Sequence, residues 1–478
     1  MILERIRHWA RQTPDAMAIE AWSHPISYRL FFQLIQSTRR FLETQGLAPN
    51  SVCALWAADI LDQWVISLAA RSLGISVITL PSGDLGTLGL LKGTAALLLP
   101  QADFARIAAQ HMPSQMRRIM VPTAIYSAPI LNQTDFELPK TPAGDHFCLS
   151  SGSTGAPKLI RFKAKNEIEY ASICKSVPKS QKLRVGLHNY PIFGSLAYKW
   201  GISIFHDGCA MILDQGANSF MSTLRPDLTL TSLRPEHVRK ILDNKIETKP
   251  RQDLTLLLGG GQVPFNQVMS LLEKITPNVV NSIGASELST VMTYTHIRTQ
   301  DDLEWSRLLP GRKVQIVDAQ DNVLPAGQEG TLRVQLHRLD AHEYEGDTAT
   351  SQSVFRDGFF YTGDLGILSP KGLLKLTGRV GDALNIGGIK LSTTWIEESL
   401  SLQTGARFCL FTGLASNNDN ILHVVIERQT PLSSSEESSV REKLPQVNSI
   451  QFHYMNEFPI NLGGKINRPA IRMNICGF

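Results

Sequence analysis

The stretch CLSSGSTGAPKLIRF, Cys148 to Phe162, decides the fold. Ser150, Ser151 and Ser153 precede Thr154, Gly152 and Gly155 loosen the backbone, and Lys158 follows Pro157. Glycine lets a backbone wrap tightly enough for hydroxyls and free N–H groups to converge on an anion. A lysine adds a full positive charge beside them, so the stretch is expected to cradle a polyphosphate. It is not a Walker loop. GxxxxGK[ST] needs glycine directly before the lysine and a hydroxyl after it, and Pro157 and Leu159 stand there instead.

A chain of 478 residues is too long for one ordinary core, and roughly two to four domains are expected. Hydrophobic content of 43% with 19% charged residues suits a globular protein. The net charge of +4, from 47 basic and 43 acidic residues, gives no electrostatic case for nucleic acid. Six scattered cysteines without a CxxC suit a reducing compartment and give no metal spacing. The opening MILERIRHWARQTPDAMAIE carries charges every few residues and no apolar h-region, unlike a signal peptide. No apolar run reaches the length of about 18 residues that a membrane helix needs. A cytoplasmic protein without membrane insertion is therefore expected.

Around the loop, the periodicity is that of an α/β protein. YRLFFQLIQSTRRFLETQGL reads as a helix with Gly46 at its C-cap. SVCALWA (51–57) and GISVITL (74–80) read as strands joined by the helical ILDQWVISLAARSLG, a βαβ unit that implies a parallel sheet. The pattern recurs at CAMILD (209–214), LTLTSLRPEHVRKILDN (228–244), LTLLLGGG (254–261) and VVNSIG (279–284). The segments 311–335 and 366–380 then alternate apolar and polar residues around turns, as hairpins do. Beyond about residue 381 a helix near 393–402, strands at 406–414 and 422–428, and a helix after PLSSSEESSV suggest a small α+β domain. The expected organisation is a large domain of layered α/β sub-domains over 1–380 and a small mobile α+β domain over 381–478.

SSGSTGAPK resembles the phosphate loop of the adenylate-forming superfamily, which includes acyl-CoA synthetases, aryl-acid ligases, nonribosomal peptide adenylation domains and luciferases. The family's other motifs follow in order. NSIGASE (281–287) is similar to its N-x-[YF]-G-x-[TS]-E, FFYTGDLG (359–366) to its Y-x-TGD, LTGRVGDALNIGGIKLS (376–392) to its GRxxDxxxxxGxxI, and PINLGGKINRPAI (459–471) to its C-terminal GK segment. LLLGGGQVP (256–264) matches the glycine-rich segment beside the adenine and acyl pocket. Singly, a TGD is commonly a turn and a terminal GK commonly a solvated loop. Five ordered matches across most of the chain carry the resemblance.

That resemblance implies ATP and Mg²⁺. Ser150 to Gly155 and Lys158 would hold the phosphates, with Glu287 as the Mg²⁺ ligand, since a hard cation takes carboxylate oxygen. Gly259, Gly260, Gly261, Ser282, Ile283, Gly284 and Ser286 would line the nucleotide. Asp364 would accept both ribose hydroxyls, and Arg379 would touch the ribose or a phosphate. Lys465 would be the mobile catalytic lysine, Gly381 the hinge, and Gly387 and Gly388 the lining of a thiol tunnel. The implied reaction turns a small carboxylic acid into an acyl-adenylate with loss of pyrophosphate. The acyl group then passes to the thiol of CoA or of a phosphopantetheine on a separate acyl or aryl carrier protein.

Some positions depart from the family. Ile283 stands where an aromatic commonly stacks on adenine, Gly381 replaces a usual Asp or Lys, and Lys390 a frequent arginine. The acyl pocket is expected along residues 186–213, with Asn189, Tyr190, Phe193, Gly194 and Ser195 beside Gly259 and Gly284. HNYP resembles aryl-acid ligases of siderophore pathways, and Gly194 stands where acyl-CoA synthetases carry a histidine. Amino-acid adenylation domains place an aspartate here for the α-ammonium. None occurs between His188 and Phe205, and Asp207 comes late. An unpaired buried ammonium is costly, so an aryl or other apolar acid is favoured, the alternative being an amino-acid adenylation enzyme that loads a separate carrier protein.

Overall fold

The computed structural model describes residues 1–21, 24–81, 93–105, 116–122, 141–150, 158–173, 183–187, 192–214, 219–244, 249–380, 383–386, 389–414, 420–444, 449–460 and 466–476. The expected βαβ unit forms from the strand Val52–Leu55, the helix Ile60–Ser72 and the strand Ser76–Thr79. Val52 lies beside Ser76 in parallel register. These strands belong to a six-stranded sheet ordered Arg118–Val121, Ala96–Pro100, Val52–Leu55, Ser76–Thr79, His146–Ser150 and Lys158–Phe162. The last pair is antiparallel and the others are parallel. A parallel sheet is covered on both faces, which is why ALLLP and VCAL read as continuous apolar runs.

A second sheet has eight strands, ordered Thr295–His296, Val279–Asn281, Thr255–Leu258, Leu230–Leu233, Arg184–Gly186, Ala210–Leu213, Met17–Ala21 and His24–Ser27. Its middle is parallel and each end closes with an antiparallel pair. The helices Tyr28–Glu43, Ile60–Ser72 and Ser195–Asp207 contribute to one core shared by both sheets. Ile60–Ser72 starts at Asp59, whose carboxylate accepts from the Leu61 N–H at 2.7 Å. It is buried almost all round, so its apolar residues form no stripe. Its partner helix comes very close. A Cβ added to Gly201 would lie 2.1 Å from the Trp64 ring, so only glycine fits there.

A buried ionic knot fastens these helices to the hairpin that carries the phosphate loop. Arg71 and Glu167 are both fully buried, and Arg71 Nη2 meets Glu167 Oε1 at 2.5 Å. Arg71 also donates to the Gly144 carbonyl at 2.9 Å and to the Tyr198 hydroxyl at 3.1 Å. Tyr198 in turn donates to Glu167, whose Oε2 accepts from the Ile2 N–H at 2.8 Å. His146 stacks on Tyr198 with ring centroids 4.0 Å apart. Its Nε2 lies 2.9 Å from the Ile192 carbonyl. Burial first, and the Arg71 charge second, hold the imidazole down at about 3. The ring is therefore neutral, with its proton on Nε2 facing the carbonyl, and its buried Nδ1 has no hydrogen-bond partner among the described residues.

The hairpins expected at 311–335 and 366–380 combine into a third, antiparallel sheet. It runs Ser306–Arg307, Leu373–Arg379, Phe359–Leu368, Glu329–Gln335 and Val314–Val317, with Phe355–Arg356 added alongside Phe359–Leu368. Beyond it come a two-stranded hairpin, Ala383–Ile386 with Ile389–Ser392, and a three-stranded sheet of Arg407–Leu414, Asn420–Glu427 and Ser449–Met455. The helices Thr393–Thr404, Ser434–Lys443 and Arg468–Cys476 accompany them. This region has apolar clusters of its own. Arg468 Nη1 bonds Glu397 at 2.8 Å and ties the last helix to Thr393–Thr404.

Two boundaries differ from expectation. The acidic serine run lies inside the helix Ser434–Lys443 because Ser433 and Glu436 cap each other's backbone N–H groups, at 3.3 and 2.8 Å. The helix Tyr28–Glu43 ends on Thr44 rather than on Gly46, although Gly46 does take a left-handed φ of 64°. Among the described residues, no helix is long and apolar enough to cross a membrane.

The knot has a pH signature. Below about pH 6.5 the unfolded chain protonates His146, but the folded protein does not until about pH 3. Stability is therefore expected to fall with pH across this window, by up to about 1.4 kcal/mol per unit from this one group. His146→Gln keeps an N–H donor for Ile192 and should flatten that fall relative to the wild type. Urea unfolding at about pH 4.5 and about pH 7.5 checks it, and an equal acid loss in both proteins would contradict it.

Candidate active site

The strands His146–Ser150 and Lys158–Phe162 pair so that Ser150 faces Lys158 across the last rung. Ser151, Gly152, Ser153, Thr154 and Gly155 lie outside the described residues. Ser150 is buried at the end of its strand. Lys158 Nζ meets Asp347 Oδ2 at 2.5 Å and Thr350 Oγ1 at 3.2 Å. Asp347 caps the helix Thr348–Val354, its Oδ1 accepting from the Thr350 N–H at 3.1 Å. The hydrogen bond from Lys158, with those from Thr350, holds the Asp347 carboxyl down at about 2. The same segment runs beside the phosphate-loop strand, since the Glu345 N–H donates to the Leu159 carbonyl at 2.9 Å.

Glu287 follows the strand Val279–Asn281 and is nearly buried. Its Oε1 accepts from the Tyr344 hydroxyl at 2.8 Å, and its carbonyl accepts from the Ala341 N–H at 2.7 Å. Burial, reinforced by the Glu287 charge, pushes the Tyr344 phenol well up, so it stays a donor. Lys199, from the helix Ser195–Asp207, reaches the carbonyls on both sides of Glu287, at 3.1 Å to Ser286 and in closer contact with Leu288. The turn beyond is held by Asp340, which takes both Arg312 Nη1 (2.7 Å) and Nη2 (2.9 Å) and the Ser289 N–H and hydroxyl, each at 2.6 Å. Burial alone would raise the Asp340 carboxyl, but these donors hold it below its usual range.

On the nucleotide side, Gly259, Gly260 and Gly261 follow the strand Thr255–Leu258, with Gly260 at a φ of +79°. Ser282 Oγ donates to the Leu258 carbonyl at 3.2 Å and lies 3.4 Å from where a Gly259 Cβ would be. The backbone of Ile283 is fixed at both ends, its N–H on Thr293 Oγ1 at 3.0 Å and its carbonyl under the Met292 N–H at 2.7 Å. Its half-buried side chain packs on the core that includes Leu288, Met292 and Phe360. Gly284 backs onto Val291, and Ser286 is half-buried. Asp364 and Arg379 stand directly opposite on neighbouring antiparallel strands, with Arg379 Nε 3.0 Å from Asp364 Oδ1.

The expected acyl segment is nailed to the phosphate hairpin. The Leu149 N–H donates to the Phe193 carbonyl at 2.7 Å. The Ile192 N–H donates to Gln63 Oε1 at 3.1 Å, and the Ile192 carbonyl takes the His146 proton. Phe193 packs against the cluster that includes Trp56 and Leu149. Gly194 begins the helix Ser195–Asp207, and Ser195 is buried in its first turn. Asp207 sits at the other end of that helix, about 18 Å away at 1.5 Å per residue, 2.7 Å from His206. Asn189, Tyr190, Gly381, Gly387, Gly388 and Lys465 lie outside the described residues. The segment with Lys465 is bracketed by a bridge between Ile460 and Ile466 and by the Asn467 N–H on the Pro459 carbonyl at 2.7 Å.

Lys158, Glu287 and the acyl segment are thus joined by direct bonds to shared elements, and Asp364 and Arg379 are joined to each other. Reading the sequence missed Tyr344, Asp347, Lys199 and Arg312. Arg312 and Asp347 each follow a glycine that reads only as a turn, Tyr344 and Lys199 sit in no motif, and each acts on a residue distant in the chain. The arrangement sets a cation at the mouth of a hydroxyl-rich loop and a carboxylate beside the adjoining turn.

The sequence profile of the AMP-binding enzyme family matches residues 6–337. Enterobactin synthase component E of Escherichia coli is 21% identical over 96% of this chain and 91% of its own length. The 2-succinylbenzoate–CoA ligase of Bacillus licheniformis is 22% identical over 96% of this chain and 98% of its own. The structure of o-succinylbenzoate CoA synthetase from Bacillus subtilis, in complex with its acyl-adenylate intermediate, superposes with a TM-score of 0.82 at 17% identity, over 98% of this chain and 97% of that one. The chain belongs to the AMP-binding enzyme family. It is an AMP-forming ligase with the adenylating α/β fold, which activates a carboxylic acid with ATP and transfers it to a thiol.

Tyr344→Phe removes the hydroxyl that Glu287 accepts and leaves a buried carboxylate short of a donor. It is expected to lower stability by about 1–3 kcal/mol, read from urea unfolding. A change within about 0.5 kcal/mol would contradict this role for Tyr344.

Proposed function

We propose that this chain activates an aryl or other apolar carboxylic acid, and that residues 1–380 bind the acid and ATP while 381–478 bring in the catalytic lysine. One observation carries the choice of acid. The segment from His188 to Phe205 has no carboxylate, and the nearest one in sequence, Asp207, is engaged with His206 at the far end of the helix. A ring or chain can be buried against Phe193 and its apolar neighbours, whereas an α-ammonium would be left without a counter-charge.

The acid's carboxylate oxygen attacks the α-phosphorus of ATP, forming a carboxylate–phosphate anhydride and releasing pyrophosphate. A thiolate then attacks the acyl carbon, forming the thioester, and AMP leaves with its oxygen. The reaction is largely positioning and charge stabilisation. Ser150, Ser151, Gly152, Ser153, Thr154 and Gly155 cradle the phosphates with Lys158 as their cation. Glu287 suits Mg²⁺, since it is a hard oxygen donor whose second oxygen takes no hydrogen bond from a described residue. When bound, Mg²⁺ supplies positive charge against the phosphate oxygens. Tyr344 and Lys199 keep Glu287 oriented for that role. Asp364 holds the ribose hydroxyls, and Arg379, already at its side, shares them with the phosphate edge.

Lys465 bridges the acid and the α-phosphate. Rotation about Gly381 then withdraws it and presents Gly387 and Gly388 to the thiol. The acceptor is CoA or the phosphopantetheine arm of a separate carrier protein. The scattered cysteines, without a CxxC and with Cys53, Cys148, Cys209 and Cys409 buried, favour the cytoplasm.

Pyrophosphate exchange into ATP across benzoates, cinnamates, fatty acids and amino acids tests the choice of acid. The fastest exchange is expected with a benzoate or another apolar acid, and exchange confined to amino acids would overturn the reading. Lys465→Ala should lower exchange by about 10²–10³-fold yet spare thioester formation from supplied acyl-adenylate. Equal loss of both activities would contradict that division of labour.

A further inference from the structure

The segment Tyr344–Thr350 touches both charged residues of the phosphate site. Its Tyr344 hydroxyl holds Glu287 and its Asp347 carboxylate holds Lys158. We propose that Asp347 is an internal counter-anion that occupies Lys158 when no polyphosphate is bound, yields it to the terminal phosphates of ATP, and takes it back as pyrophosphate leaves. This rests on the reading of Lys158 as the phosphate cation.

The geometry separates two duties within one carboxylate. Oδ1 caps the helix Thr348–Val354 and Oδ2 takes the lysine. Lys158 can therefore depart without uncapping the helix, because only the lysine stem has to swing. The backbone of Lys158 stays fixed meanwhile, as the residue lies opposite Ser150 in the hairpin. The ion pair is reachable by solvent, with side-chain exposures of 15% for Lys158 and 32% for Asp347. A pair of that exposure is weak enough to exchange. A carboxylate carries one negative charge, whereas pyrophosphate carries several, so the polyphosphate wins the lysine when present. After the P–O bond breaks, the carboxylate waiting beside the lysine competes with the leaving group. Asp347 is in these terms a positioning residue that limits how tightly the product is held.

Asp347→Asn keeps a good N-cap and removes the charge. Calorimetric titration of Mg²⁺-pyrophosphate into the full chain compares the wild type with Asp347→Asn, Lys158→Ala and the double variant. The single Asn variant is expected to bind pyrophosphate about three- to tenfold tighter, with the pyrophosphate inhibition constant in the forward reaction falling by the same factor. Lys158→Ala should bind more weakly, and adding Asp347→Asn to it should bring no gain. Should the Asn variant fold poorly, Asp347→Ser serves the same comparison. Affinity unchanged or weakened in the neutral variant, or a gain that persists without Lys158, would overturn the counter-anion. If the wild type binds no pyrophosphate and Lys158→Ala makes no difference, the reading of Lys158 itself fails and takes the counter-anion with it.

Discussion

The pairing of Arg71 with Glu167 in the dry space between two sheets is the constraint on which the rest depends. Arg71 leaves the βαβ helix of one sheet, Glu167 begins the helix that follows the phosphate hairpin, and Tyr198 comes from the crossover helix of the other sheet. Removing one member would strand a charge in the core at a cost of about 3–5 kcal/mol. The pair therefore acts less as a source of net stability than as a fixed point. His146, paired with Val77 across the sheet and stacked on Tyr198, links it to Ile192 and hence to the segment expected to line the acyl pocket.

From that fixed point, backbone bonds join the segments of the site and side chains such as Asp347 and Tyr344 then hold its charged groups. Leu149 holds Phe193, Leu159 holds Glu345, and Ala341 holds Glu287. The phosphate hairpin thus lies between the acyl segment and the Tyr344–Thr350 segment and is bonded to both. A carboxylic acid seated near Phe193 and a polyphosphate seated near Lys158 would meet where the hairpin opens. This economy suits adenylation, in which rate comes from holding two anions together against their repulsion.

The sequence made the local structure legible. The βαβ unit, the hairpins of the third sheet and the terminal α+β region follow from periodicity and turn residues, and these signals are short-range. The charged and glycine-rich motifs also singled out Lys158, Glu287, Asp364 and Arg379, because their neighbours in sequence are distinctive. Their partners were not legible. Asp347 lies 189 residues from Lys158, Tyr344 lies 57 from Glu287, and Glu167 lies 96 from Arg71. Asp347 caps the helix that follows it, and nothing local in the sequence says that its other oxygen meets a lysine. The helix boundary at Ser433 went astray for a related reason, since a serine run looks like loop until the reciprocal cap with Glu436 is seen.

The most direct measurement follows the oxygen atoms. The acid that supports the fastest exchange is labelled with oxygen-18 at both carboxylate positions and turned over with ATP and a thiol acceptor. Mass spectrometry of the nucleotide product is expected to show AMP carrying one labelled oxygen, because the carboxylate itself attacked the α-phosphorus. ADP with inorganic phosphate, or AMP free of label, would contradict adenylation of the acid at this site.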